Sequence, residues 1–475
     1  MTEFMQLHHK RVTKPYSQAD LKKVINELAP TLSDRIHLSQ SIREQHGRGE
    51  DSYGCIAPDA VIYPFSNEEV AQIVQLCNRY KIPVIPFGTG TSVEGHLLAV
   101  HGGISLDLSE MDQIIEINAA DMDCRVQAGV TREELNKALR YDGLFFPVDP
   151  GANASIGGMA ATQASGTNAV RYGTMREAVI GLTIVTPEGE IVKTGTRARK
   201  SSAGYDLTQL YVGSEGTLGV ITEIQLRLHP VPEIIKSAVC SFETVDGAVN
   251  TVINAMQMAL PLARIELLNA LQMEACIAYS KLEGFTAQPT LFIEFHGTES
   301  AVNEQIEQLQ DICQAFSGKE FQWAETTEQR NALWKARHNA YPAAHLLKPN
   351  SKVLTTDVCV PISALAVSIA DSERLAEEAG LSCPVVGHVG DGNYHVLIVF
   401  DPENSEQSKA AKQLSEKIVH RALQLSGTCT GEHGIGFGKK EYLLSEHGDA
   451  VEMMRCIKKS LDPNNIMNPG KVFDL

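Results

Sequence analysis

The chain has 475 residues, 43% hydrophobic and 21% charged, a balance that supports a buried core and excludes a peptide or a small disulfide-stapled module. At roughly 150 residues per domain this length fits two large units or three smaller ones. The 58 Asp and Glu outnumber the 41 Lys and Arg, and the net charge of −17 opposes attraction to phosphate backbones and argues against nucleic acid as a partner.

From the start, MTEFMQLHHKRV has no continuous apolar stretch behind its basic residues, so no secretory leader is expected. No apolar run approaches the roughly 20 residues of a membrane helix. The expectation is a soluble, cytoplasmic protein, with peripheral attachment to the inner face of a membrane left open. Ten cysteines without a CxxC pair read as reduced, packed thiols.

Residues 18–30 are expected to be helical and 39–57 to be a polar loop. Ser66 and Glu69 form a capping-box pattern, followed by Val70, Ile73, Val74 and Cys77 at helical spacing. The strand-like run 82–87 then feeds a glycine-rich turn, and Thr131 with Glu134 caps another helix. Residues 151–173 are rich in Gly, Ala, Ser, Thr and Asn. The interspersed Ile156, Met159 and Val170 favour backbone packed against a ligand over a flexible linker. A strand is expected over 179–185, and 213–228 ends in an alternating strand before Pro230 and Pro232. Beyond that boundary, strands near 237–242 and 290–295 and helices over 246–260 and 301–316 predict an α+β substrate domain with an antiparallel sheet. The implied domains are 1–234, 235–425 and a C-terminal segment 426–475, which carries Glu432 and His433 and has a helix near 449–460.

Pro86-Phe-Gly88-Thr89-Gly90-Thr91-Ser92 follows a strand but is not a dinucleotide fingerprint, because Val93 stands at the third glycine position. An ordinary tight turn would also produce a lone GxG. The run of N–H groups from Gly88 to Ser92 could instead converge on a pyrophosphate. Two further small-residue segments, around Pro150–Gly158 and Gly213–Gly219, could line the same long ligand. The series PFGTGTS, DPGANASIGGMAATQASGTNAVRYGT and GSEGTLGVIT resembles the flavin domain of the vanillyl-alcohol oxidase/p-cresol methylhydroxylase family. That resemblance implies a p-cresol methylhydroxylase-type FAD domain. Pro86, Gly88, Thr89, Gly90, Thr91 and Ser92 would lie at the pyrophosphate, and Pro150, Gly151, Ser155, Gly158, Gly166, Asn168 and Tyr172 on the flavin side. Glu215, Gly216, Ile221 and Asn468 would border the rest. His96 lacks the RGGGH-like context of covalent flavin attachment, so the resemblance implies non-covalent FAD.

In the second half, His388 and His395 bracket the turn Gly390–Asn393, and Glu432-His433 sits in a second glycine-rich stretch. Histidines and a carboxylate in such turns form a metal-ligand set, and two imidazoles with one carboxylate leave positions open for a substrate. An alternative of another class is a non-haem metal oxygenase or a hydrolase built on this set, which would leave the glycine-rich N-terminal half without a task. These blocks resemble the C-terminal domain of FAD-linked 2-hydroxyacid dehydrogenases, a group that takes in D-lactate, D-2-hydroxyglutarate and glycolate enzymes. The resemblance implies that His388, His395 and Glu432 hold a divalent ion, zinc or manganese. It makes His433 the catalytic base and has Arg337, Lys352 and Tyr341 bind the substrate carboxylate. The implied reaction is oxidation of a D-2-hydroxy acid, D-lactate to pyruvate first. Leu397, two residues after the second histidine, favours a short uncharged tail. Electrons would pass to an external quinone or cytochrome, since no haem or iron–sulfur signature is present. A non-catalytic flavin-binding subunit is disfavoured by the complete residue set, and a homodimer is the oligomer to test.

Overall fold

The computed structural model describes residues 14–51, 53–324 and 326–475, so the N-terminal stretch considered as a leader lies outside the described residues. The chain divides into two compact units. One holds the chain up to Ser165, Gly173–Val231 and Glu432–Leu475, and the other holds Gly166–Tyr172 and Pro232–Gly431. The chain crosses between the units after Ser165, Tyr172, Val231 and Gly431, and nothing in the sequence separates 166–172 from its neighbours.

In the first unit β1 (Ile36–His37), β2 (Ala60–Ile62), β3 (Val84–Phe87) and β4 (Ile104–Asp107) form a sheet in the order β1-β2-β4-β3. Both β2 and β3 run parallel to β4. Parallel strands need a crossover, and helix Asn67–Tyr80 links β2 to β3 while burying Val70, Ile73, Val74 and Cys77. The Ser66 hydroxyl starts that helix by accepting the Glu69 N–H at 3.3 Å. A second sheet holds β5 (Ile114–Asn118), β6 (Asp123–Gln127), β8 (Val179–Val185), β9 (Ile191–Lys193) and β10 (Val220–Arg227), all antiparallel in the order β5-β6-β10-β8-β9. Short strands β7 (Leu144–Phe145) and β11 (His229–Pro230) pair separately.

One apolar cluster joins both sheets and takes in Ile466 and Met467 from the tail. The tail is tied to β3, because Val84 N–H donates to Ile466 at 2.7 Å and Asn468 N–H donates to Val84 at 2.9 Å. The polar stretch 39–57, expected as a loop, contains the helix Gln40–Gln45. None of its six residues is buried, so it has no apolar period for the sequence to display.

The second unit is built on one antiparallel sheet. Its strands are β12 (Ile234–Ser241), β13 (Leu262–Leu268), β14 (Thr290–Gly297), β15 (Lys319–Trp323), β16 (Lys352–Thr355), β17 (Val358–Cys359), β18 (Val385–His388) and β19 (Asn393–Phe400). Their order is β15-β12-β14-β13-β18-β19-β16, with β17 also on β19. Val239, Leu268, Phe292, Val386, Leu397 and Val399 of the sheet pack with Met273, Trp334, Ala340, Ala343 and Ala344 of the helices Ala270–Ser280, Thr327–His338 and Ala340–Ala344. The architecture is α+β. All ten cysteines are free thiols, and most are buried. Among the described residues, no helix is long and apolar enough to cross a membrane.

Candidate active site

In the first unit three of the glycine-rich segments meet. A Cβ on Gly88 would stand 2.3 Å from Ser155 Oγ, and a Cβ on Gly216 would stand 3.0 Å from Pro86 Cγ. Gly90 (φ +76°) and Gly216 (φ +70°) are left-handed, and so is Glu215 at φ +55°, an uncommon setting for a side-chain-bearing residue. Ser155 caps the helix Ile156–Ala161, its hydroxyl accepting from Gly158 N–H at 3.4 Å. Asn468 donates its amide to the carbonyls of Glu215 (2.9 Å) and His96 (3.3 Å). Among the described residues, the Ser92 and Ser214 hydroxyls are buried with no hydrogen-bond partner. Orphaned donors beside a cradle that a Cβ would fill fit a bound pyrophosphate-containing cofactor.

Other predicted cofactor residues sit differently. The Thr89 and Thr91 hydroxyls lie 3.3 Å apart on the exposed part of the turn. Pro150 is half-buried, Gly151 is exposed with open space around it, and Ile221 packs into the apolar core through β10. Gly166, Asn168 and Tyr172 belong to the second unit. There Asn168 Oδ1 accepts from Arg264 Nε at 3.0 Å, and the Tyr172 hydroxyl lies 2.7 Å from His296 Nδ1.

His96 is buried, with Nε2 3.1 Å from Glu215. The Glu215 carboxylate also accepts the N–H groups of Ile435 and Gly436, each at 2.7 Å. Burial opposes its ionisation, but His96 and these two donors outweigh burial and hold the carboxyl below its usual range. Glu215 therefore pins the loop that directly follows Glu432 and His433, whose side chains are 3.5 Å apart. Sequence reading had assigned Glu215 only to the cofactor.

In the second unit β18 and β19 form the hairpin that carries both metal-candidate histidines. Val386 lies opposite His395 and His388 opposite Asn393, so the alternation of the strands puts His388 and His395 on one face. Their ring centroids are 5.5 Å apart at 87°. β13 pairs with β18, Leu267 opposite Gly387, which brings Glu266 beside His388. His388 Nδ1 donates to Glu266 at 2.7 Å, and His395 Nδ1 donates to the Thr356 carbonyl at 3.0 Å. Both acceptors can only accept, so Nδ1 of each neutral ring carries the proton and Nε2 the lone pair.

Asp357, completely buried, has its carboxylate 3.8 Å from His395 Nδ1. It accepts from Asn393 Nδ2 (2.9 Å), the Thr430 hydroxyl (2.8 Å) and Gly431 N–H (3.0 Å). Gly431 must be glycine, because a Cβ would fall 2.1 Å from Asn393 Nδ2. Glu432 and His433 are the next residues in the chain. Oriented imidazoles beside a buried carboxylate are a donor set that suits a divalent ion.

Arg337, expected as a ligand of the substrate carboxylate, belongs to the buried side of helix Thr327–His338. Its Nε donates to Glu266 at 2.9 Å and a terminal nitrogen donates to the same carboxylate oxygen. Burial opposes ionisation of Glu266, but His388 and Arg337 outweigh it and hold the carboxyl low. Lys352 is exposed on β16, and Tyr341 is half-exposed with its ring edge-on to His345. Leu397 is buried in the core cluster that also holds Trp334. Glu266 and Asp357 were missed by sequence reading. The available signal was a lone acid inside a mostly apolar or β-branched run, in Leu262–Leu268, where Arg264 is the other charge, and in 353–360.

A cradle with orphaned hydroxyls in one unit, and anchored imidazoles with a buried carboxylate in the other, define a two-unit oxidoreductase of the flavin-binding type. Residues 58–195 match the family model described as FAD binding domain, and residues 231–472 match FAD linked oxidases, C-terminal domain. The chain belongs to this FAD linked oxidase family and uses FAD. It is 47% identical to the probable mitochondrial D-lactate dehydrogenase of Danio rerio, over 96% of this chain and 93% of that one. It is also 47% identical to the mitochondrial D-lactate dehydrogenase [cytochrome] of Arabidopsis thaliana, over 95% of this chain and 80% of that one. The crystal structure of p-cresol methylhydroxylase with substrate bound superposes with a TM-score of 0.78 at 17% identity, covering 98% and 99% of the two chains, which shows the shared fold. The expectation of a cytoplasmic protein is overturned by these relatives, which are named as mitochondrial. The sequence cue for it was only the lack of apolar segments, which does not separate compartments. Membership in the family also gives the glycine-rich half a task that the oxygenase and hydrolase readings left unassigned.

Proposed function

We propose that this protein oxidises a D-2-hydroxy acid to the 2-oxo acid, with D-lactate to pyruvate as the principal reaction. The observation that carries the reading is the pair of Nδ1-anchored histidines, His388 and His395, in a chain 47% identical to proteins named D-lactate dehydrogenase. Bound FAD supplies the hydride acceptor. His388, His395 and Glu432, with Asp357 close to His395, would hold a divalent ion, which would supply the Lewis acidity that makes the substrate hydroxyl more acidic. His433 takes the hydroxyl proton as the C2 hydrogen leaves as hydride, so the substrate loses one hydride and one proton and becomes the oxo acid. Arg337 presents a planar fork to the carboxylate, with Lys352 and Tyr341 contributing from the same unit. Electrons then leave to an external acceptor; the bracketed word in the Arabidopsis protein's name supports a cytochrome.

The test is anaerobic mixing of the yellow holoprotein with D- and L-lactate, glycolate and D-2-hydroxyglutarate, with metal analysis of the same sample. D-lactate is expected to bleach the flavin fastest. Preference for another acid, or metal-free protein that reacts at full rate, would overturn the reading.

A further inference from the structure

We infer that Glu266 is a positioning residue that sets the metal ligand and the substrate-carboxylate ligand from one buried side chain. The inference rests on the proposed function for the roles of His388 and Arg337. The geometry belongs to the second unit alone. Glu266 is 1% exposed on β13, the strand that pairs with β18. One carboxylate oxygen accepts His388 Nδ1 at 2.7 Å, and the other accepts Arg337 Nε at 2.9 Å together with a terminal guanidinium nitrogen.

Each half of this arrangement has a chemical consequence. On the histidine side, a carboxylate that accepts from Nδ1 fixes the tautomer and the ring plane, directs Nε2 away from β13 and makes that nitrogen a better donor to a cation. On the arginine side, both bonds are made along the edge of the guanidinium that includes Nε, at a single carboxylate oxygen. The outer edge, between the two terminal nitrogens, is the one that can take a substrate carboxylate in parallel. A 2-hydroxy acid spans a chelating end and a carboxylate, so its binding requires these two ligands in a fixed relation. Two oxygens of one buried carboxylate supply that relation without any flexible side chain between them.

A purely structural ion pair would have a different signature. Removing it would lower the melting temperature and leave the affinities of the folded fraction alone. The experiment uses the full-length holoprotein and the variants Glu266→Gln, Glu266→Asp and His388→Ala. Metal affinity is measured with zinc against a chromophoric chelator, alongside flavin content, kcat and KM for D-lactate.

Glu266→Gln is expected to keep its flavin and to lose 10- to 100-fold in zinc affinity, the usual cost of removing the partner of a ligating histidine. Its KM is expected to rise by about tenfold, since Arg337 loses its anchor. Glu266→Asp retains the charge against Arg337 and therefore the fold, but a shorter side chain cannot reach both partners, so zinc affinity and KM should move in the same directions. If Glu266→Gln does not fold, the Asp variant decides. Wild-type zinc affinity and KM in the folded Glu266 variants, with zinc lost in His388→Ala, would overturn this inference alone. Zinc retained in His388→Ala would overturn it together with the metal reading of the site.

Discussion

Lys471 is buried in the C-terminal tail and donates from Nζ to the carbonyl of Leu98 at 2.7 Å. Burial, reinforced by the charge of Lys440, pulls its amine down to about 7. An exposed lysine in the unfolded chain titrates near 10.4. Below pH 7 both states carry the proton. Between about pH 7 and pH 10 the unfolded state holds one proton more than the folded state, so this residue makes stability rise with pH. Denaturation at pH 7 and pH 9.5 should show that rise in the wild type, on the order of a few kcal/mol, and a flatter profile in Lys471→Met. An unchanged slope in the variant would exclude Lys471 as its source.

Glu215 holds two buried backbone donors, of Ile435 and Gly436, at 2.7 Å each. Glu215→Ala should destabilise the first unit by about 3 kcal/mol or more, at roughly 1.5–3 kcal/mol for each bond to a charged acceptor. Both tryptophans, Trp323 and Trp334, lie in the second unit, so their emission reports on the wrong part of the chain. Release of flavin fluorescence during denaturation follows the first unit instead. An unaltered release midpoint would contradict the pinning role.

Gly88 and Gly151 make a matched pair. A Cβ at 88 would meet Ser155 Oγ at 2.3 Å, whereas a Cβ at 151 would enter open space. Moving the serine hydroxyl forfeits its cap on the helix Ile156–Ala161, which costs about 1 kcal/mol, and crowds the cradle. The flavin-to-protein absorbance ratio should fall sharply in Gly88→Ala and stay near wild type in Gly151→Ala. Equal flavin content in both proteins would remove Gly88 from the cradle.

His433 and the metal ligands should separate in a single experiment. His433→Gln is expected to retain its metal while anaerobic flavin reduction by D-lactate slows by about 10²- to 10⁴-fold, the range for loss of a general base. Treatment of the wild type with a chelator should stop reduction, and added zinc or manganese should restore it. Metal loss in the His433 variant would make His433 a ligand and return the role of base to another group.

Local signals were read directly from the residues. Ser66 caps the helix Asn67–Tyr80, Thr131 makes both bonds of its box with Glu134, and the run Val179–Val185 is a strand. Each depends on neighbours within a few positions. The helix Gln40–Gln45 escaped because it buries nothing. The histidines of the hairpin were also visible, since a turn between two strands is a local feature.

The sequence by itself determined the flavin-type glycine segments, the hairpin with His388 and His395, and the Glu432-His433 stretch, because turn chemistry and motif spacing are properties of short segments. Tertiary structure alone decided what orients them. Glu266 meets His388 only because β13 pairs with β18, 122 positions away in the chain, and Glu215 meets Ile435 across 220. The same packing put Leu397 in the core and made Arg337 the partner of a buried carboxylate. A lone acid in an apolar strand has a role only once another strand supplies its donors, and no local pattern encodes that pairing.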